Sequence, residues 1–137
     1  MEEFVDLKVL IVDDEQPVID STKKMLATED IYAYGITNPV EAIEHLKENK
    51  VDLILLDWRM TPITGDVFIE KLREFDRKTM IVVRTGMSNQ LPPLDTIKRY
   101  NIQRIYRKGR KTRRYTSKNN ISIKISKISQ RNRNPEL

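Results

Sequence analysis

The chain has 137 residues, enough to bury one core and too few for two ordinary domains. An apolar share of 39% beside a charged share of 33% fits a globular chain with a polar surplus and argues against disorder over most of its length. With no cysteine, disulfides, thiolate metal sites and cysteine nucleophiles are excluded. The longest apolar runs, Val9-Leu10-Ile11-Val12 and Leu53-Ile54-Leu55-Leu56, are strand-sized and far short of a membrane span. Met1-Glu2-Glu3 is acidic where a secretory leader would be basic, so a cytoplasmic location is expected. Charge is segregated along the chain. Residues 1–106 carry 14 Lys and Arg against 19 Asp and Glu, whereas residues 107–137 carry 11 against 1. The net charge of +5 therefore belongs to the tail, and it does not mark the body as a nucleic-acid binder.

In chain order, Lys8 to Val12 is a continuous β-branched and leucine run ending in Asp13-Asp14, the pattern of a strand buried on both faces. Pro17 then stands near the start of a helical stretch with Val18, Ile19, Met25 and Leu26 on its apolar side. Tyr32 to Ile36 is a second, weaker strand. Asn38, Pro39 and Glu41 form the clearest helix start in the chain: a capping side chain, a proline in the first turn and an acid three residues after the cap. Val40, Ile43 and Leu46 repeat along that helix, which runs to Lys50. Val51 to Leu56 is a third strand, closed by Asp57. After the Gly65 turn, Val67, Phe68, Ile69, Leu72 and Phe75 mark a third helix. Met80 to Val83 is a fourth strand ending in Arg84-Thr85-Gly86. A short helix is predicted over Leu94–Tyr100, and a fifth strand over Ile102–Tyr106, just before Lys108. Strands alternating with helices imply an α/β fold, a five-stranded parallel sheet with helices on both faces in three α/β/α layers.

In an open parallel sheet, ligands bind beyond the carboxyl ends of the strands. Polar residues gather at these ends: Asp13 and Asp14, Asp57, Thr85 and Lys108. Each alone has an ordinary structural explanation. An Asp pair after a strand commonly makes a turn or caps a helix, a threonine or aspartate can simply end a strand, and a lone lysine is commonly a solvated charge. Together, at the ends of strands one, three, four and five, they read as one site. Carboxylates brought together repel one another unless a cation sits among them. Mg²⁺ suits such a site because it takes oxygen ligands, keeps water and accepts phosphate oxygens. The set then supplies an acidic metal pocket, a carboxylate nucleophile, a hydroxyl donor and a cationic clamp for phosphoryl chemistry.

These residues carry a resemblance. The segments Val9-Leu-Ile-Val-Asp-Asp-Glu15, Leu53-Ile-Leu-Leu-Asp-Trp-Arg-Met60 with Gly65, Val82-Val-Arg-Thr-Gly86 and Tyr106-Arg-Lys108 resemble, in order and spacing, the receiver domain of a two-component response regulator. The resemblance covers residues 5–109 and implies a flavodoxin-like receiver fold. It makes Asp57 the phosphoacceptor, charged by a sensor histidine kinase or a phosphotransfer protein. It also implies Mg²⁺ bound directly by Asp14, mainly through water by Asp13, and by Asp57 and the backbone carbonyl of Arg59. Thr85 would hydrogen-bond the phosphoryl group and Lys108 would pair with it. Slow autodephosphorylation would reset the module, and no stand-alone enzyme is implied. A phosphorylated Asp57 would draw in Thr85 and its loop, biasing a two-state face formed by the fourth strand, fourth helix and fifth strand. The downstream effector is not identified by these motifs.

The chain departs from the family's pattern at several points. Ile105 stands three residues before Lys108, where receivers carry an aromatic, and Tyr106 follows one place later. Gly109 replaces the proline that follows the lysine, and Pro62 is displaced by one position after the phosphoacceptor. The Arg59 side chain is within reach of the pocket and could alter dephosphorylation. Trp58 fits either a role at the pocket mouth or packing at the solvent edge. His45 has only charged helical neighbours to recommend it and reads as structural. Asp57-Trp58-Arg59 lacks the second carboxylate found in aspartyl-nucleophile phosphatases, which counts against a hydrolase.

The division expected is a receiver over 1–109 and a basic tail or divergent fifth helix over 110–137. In the tail, Ile121, Ile125 and Ile128 would make a narrow helical stripe, while Ile121-Ser-Ile-Lys-Ile125 alternates like a strand. Two other classes of function stay open: a pseudo-receiver that binds partners without phosphorylation, and a nucleic-acid binder acting through the tail, whose affinity would fall steeply with salt.

Overall fold

The computed structural model of the chain describes residues 7–85 and 102–107. Within them the order is β1 (Val9–Val12), α1 (Gln16–Ala27), β2 (Ala33–Ile36), α2 (Pro39–Glu48), β3 (Leu53–Asp57), α3 (Gly65–Arg73), β4 (Met80–Thr85) and β5 (Ile102–Arg107). The expected helix over Leu94–Tyr100, Lys108 and the segment 110–137 lie outside the described residues. The five strands form one sheet in the order β2-β1-β3-β4-β5, and every pairing is parallel. This is the parallel α/β arrangement expected from the alternating pattern, with the flavodoxin-like strand order that the resemblance implies.

The uninterrupted apolar strands are explained by burial on both sides. Leu10 and Val12 of β1, Ile54 and Leu56 of β3, and Ile81 and Val83 of β4 pack with Ala42, Ile43 and Leu46 of α2 and with Phe68, Ile69 and Leu72 of α3. The alternate residues Val9, Ile11, Leu53, Leu55, Met80 and Val82 pack with Ile19 and Leu26 of α1. The period of two along each strand thus feeds two separate cores, one on each face of the sheet.

Asn38 caps α2 as its position predicts: its Oδ1 accepts the N–H groups of Val40 at 2.9 Å and Glu41 at 3.4 Å. Two expected core positions are corrected. Val40 is 44% exposed, because the buried stripe of α2 is Pro39, Ala42, Ile43 and Leu46. Phe75 is 41% exposed, because α3 ends at Arg73 and the chain turns. The Asp76 N–H reaches back to Leu72 O at 2.9 Å, and the Asp76 carboxylate gathers the N–H groups of Lys78 and Thr79. The fourth strand also runs two residues beyond Val83, to Thr85. Along the β4–β5 pairing the register slips between Ile81 and Val82, so that Ile105 lies opposite Val83 and Tyr106 opposite Arg84.

Candidate functional site at the carboxyl end of the sheet

Strand order builds the site. Because β1 lies between β2 and β3, the direction of chain progression reverses there, which opens a crevice beyond the strand ends. Val12 pairs with Leu56, so the next residues, Asp13 and Asp57, arrive side by side. Asp14 follows in the bend before α1. One carboxylate oxygen from each of Asp13, Asp14 and Asp57 lies within 4.8 Å of the others. Asp13 and Asp57 are only 1% and 5% exposed, which places two negative charges in a region of reduced dielectric where their repulsion is strong.

Local hydrogen bonds aim these side chains. Asp13 Oδ1 accepts the Glu15 N–H at 3.0 Å, which folds the chain over before α1. Asp57 Oδ1 accepts the Arg59 N–H at 3.3 Å. Asp14 Oδ2 accepts both the N–H and the hydroxyl of Thr61, at 3.3 and 3.4 Å, so the loop after β3 is tied to the end of β1. The same loop is anchored at its two ends: the Trp58 N–H donates to Arg84 O of β4, and the Gly65 N–H donates to Trp58 O, each at 2.9 Å. A Cβ on Gly65 would lie 2.9 Å from Trp58 Cα and 3.1 Å from Asp57 O. The absence of a side chain at Gly65 is what lets α3 start directly against the residue that follows Asp57. Trp58 is half-buried and packs on the α2–α3 core.

The structure therefore brings Asp13, Asp14 and Asp57 together and sets Arg59 on the loop beside them. Thr85 is the last residue of β4, one position beyond Arg84, the cross-strand partner of Asp57, and is itself in register with Arg107 of β5. Lys108 lies outside the described residues. Three carboxylate oxygens with solvent at their open side are hard donors, and such a set fits a hard divalent cation of the Mg²⁺ kind better than a soft metal. His45, away from these carboxylates in α2, meets the Tyr34 hydroxyl with its Nε2 at 2.7 Å, and the two rings pack edge to face.

Two contacts of the site were not anticipated from sequence. One is the Thr61 clasp on Asp14, between residues far apart in the chain. The other is Arg84, buried one residue before Thr85, whose Nη1 donates to Thr22 Oγ1 of α1 at 2.6 Å. The available signal for Arg84 was a charged residue interrupting an apolar strand next to a strand-end hydroxyl.

Comparison with known proteins agrees with this geometry. Residues 9–114 match the response regulator receiver domain family. Among curated proteins, the transcription factor SKN7 of Candida albicans is 32% identical over 78 residues, 57% of this chain and 14% of that protein. The chain spans between 13% and 36% of the length of the curated relatives it matches. Among solved structures, a response regulator receiver domain protein from Clostridium thermocellum is similar with a TM-score of 0.77 at 19% identity, covering 93% of this chain and 97% of that one. The response regulator protein TrrA from Thermotoga maritima, solved in complex with Mg(2+)-BeF, is similar with a TM-score of 0.74 at 21% identity, covering 89% and 98%. No helix among the described residues is long and apolar enough to cross a membrane. A two-faced parallel sheet, three carboxylates converging at its switch point and the family match over residues 9–114 lead to one conclusion: this chain belongs to the response regulator receiver domain family.

Proposed function

We propose that the chain is a phosphoaccepting receiver of a cytoplasmic two-component phosphorelay, with Asp57 as its phosphoacceptor. The convergence of Asp13, Asp14 and Asp57 supports this reading, because a buried carboxylate at a strand end lies beside two others with which it could hold a cation. In the forward step, an Asp57 carboxylate oxygen attacks the phosphorus of a phosphohistidine on a histidine kinase or phosphotransfer protein. The P–N bond breaks, its electron pair leaves on the imidazole, and the phosphoryl group remains on Asp57 as an acyl phosphate. Asp13, Asp14, Asp57 and the Arg59 carbonyl would hold Mg²⁺. That ion, when bound, supplies positive charge against the phosphoryl oxygens.

The chain's own groups do the positioning. The Arg59 N–H donates to one Asp57 oxygen at 3.3 Å. Asp14 is steadied by Thr61. Thr85 and Lys108 would receive the phosphoryl group, the hydroxyl as a hydrogen-bond donor and the ammonium as a tether. Hydrolysis returns the carboxylate when water attacks the phosphorus and the acyl P–O bond breaks. In this reading residues 1–109 form the receiver and 110–137 a basic appendage.

The reading is tested by mixing the protein with a histidine kinase carrying labelled phosphohistidine. Label should move to the wild type, be released by hydroxylamine as an acyl phosphate, and fail to reach Asp57→Asn. Transfer to Asp57→Asn equal to that of the wild type would overturn it. A well-folded wild type that takes no label from any donor would favour a phosphorylation-independent interaction module, the role that the Ile105 and Gly109 departures suggest.

A further inference from the structure

The sheet carries one charge that this mechanism leaves unused. Arg84 lies in β4 among Met80, Ile81, Val82 and Val83 and is 9% exposed. Its contact with Thr22 places the guanidinium on the α1 face, the side on which Met80 and Val82 pack. Thr22 is buried too, and its hydroxyl donates onward to Val18 O at 2.7 Å. A guanidinium carries its charge throughout the accessible pH range. Buried charges persist where opposite charge lies near.

Among the described residues, the buried charged side chains are Asp13, Asp57 and Arg84. All three stand at the same end of the sheet, Asp13 just after β1 and the others in its neighbours β3 and β4. Arg84 is the register partner of Asp57, and its carbonyl accepts the N–H of Trp58, the residue after Asp57. Paired strands run about 4.8 Å apart, so the backbone that carries this charge lies beside the backbone of Asp57. Glu15 and Asp20, the acids at the start of α1, are exposed to water.

We infer that Arg84 is an internal countercharge of the acidic pocket, a positioning residue that acts on the pocket through the field of its charge. It offsets part of the negative charge of Asp13, Asp14 and Asp57, lowers their affinity for a divalent cation and favours the added negative charge of a phosphoryl group on Asp57. Only the last of these effects rests on the phosphoacceptor reading. The effect on cation binding stands on the placement of the charge alone.

The test compares the full-length wild type with Arg84→Met, Arg84→Gln and Arg84→Lys. Methionine fills the space with an unbranched apolar chain, glutamine keeps a polar head for Thr22 without charge, and lysine keeps the charge. Mg²⁺ is titrated against the fluorescence of Trp58, the chain's single tryptophan. The two neutral variants should bind Mg²⁺ roughly fivefold tighter or more, as the removal of one nearby positive charge facing a doubly charged ion requires. They should also take a phosphoryl group from acetyl phosphate more slowly, while Arg84→Lys stays close to the wild type in both. Loss of packing would weaken both functions together, so movement in opposite directions separates charge from fold. Mg²⁺ binding by either folded neutral variant that is unchanged or weaker overturns the inference. A wild type that binds Mg²⁺ yet forms no adduct would refute the phosphoacceptor reading alone, and the Mg²⁺ comparison would still decide the role of Arg84.

Discussion

Replacing Gly65 with alanine sets two physical effects against each other. Gly65 opens α3 and its φ is not in the left-handed region, so helix propensity alone favours alanine, by up to about 1 kcal/mol. Packing points the other way. The new Cβ would lie 2.8 Å from Trp58 Cε3, 2.9 Å from Trp58 Cα and 3.1 Å from Asp57 O. Two of these neighbours are backbone, held by the Trp58 N–H bond to Arg84 O and the Gly65 N–H bond to Trp58 O. No side-chain rotation relieves them, and overpacking of this kind costs about 1–3 kcal/mol. The net expectation for Gly65→Ala is a loss of about 1–2 kcal/mol, or roughly 5 °C in Tm for a chain of this size. Urea unfolding followed by Trp58 fluorescence and by far-ultraviolet circular dichroism measures it. Trp58→Ala removes only the indole contact, so in that background Gly65→Ala should remain destabilising. Equal or greater stability of Gly65→Ala than wild type would refute the reasoning, and complete rescue by Trp58→Ala would assign the constraint to the indole in place of the backbone.

Two further outcomes follow from capping and charge. Asn38→Ala removes the acceptor for the Val40 and Glu41 N–H groups and should cost about 1 kcal/mol in urea unfolding, with Asn38→Asp close to wild type. Burial by itself would raise the Asp76 carboxyl, but the Thr79 hydroxyl, the N–H groups of Thr79 and Lys78, and the Arg73 charge outweigh it and leave the carboxyl below its ordinary range. The folded state thus binds the Asp76 proton less readily than the unfolded chain does. Its stabilisation is present above the unfolded carboxylate range, near pH 4, and is lost as pH falls through the lower folded value. Asp76→Asn should therefore lose stability at neutral pH and approach the wild type in acid, as read from urea midpoints across pH; a deficit that persists undiminished in acid would contradict this assignment.

Much of the fold was legible because its signals are local. Apolar runs of four residues closed by an aspartate mark β1 and β3, and Asn38-Pro39 marks the start of α2. The errors were local as well. Val40 satisfied the helical spacing, but the buried stripe of α2 turned toward Ala42 and Pro39, a choice set by which face meets the sheet. Phe75 continued the apolar pattern of α3, but the Asp76 turn ended the helix before it. The site residues were legible as strand ends, while their assembly was not. Asp13 and Asp57 meet only because β1 and β3 are neighbours, and the 43 residues of chain between them give no local sign of it. The Thr61–Asp14 and Arg84–Thr22 contacts are likewise tertiary, joining segments that the sequence treats as independent.

Phosphorylation of Asp57 is tested by weighing the intact protein after incubation with acetyl phosphate and Mg²⁺, beside Asp57→Asn and a sample in which Mg²⁺ has been chelated. One added phosphoryl group is expected on the wild type and none on Asp57→Asn or on the chelated sample. A folded wild type that gains no mass where another receiver is labelled, or an adduct that survives in Asp57→Asn, would contradict it.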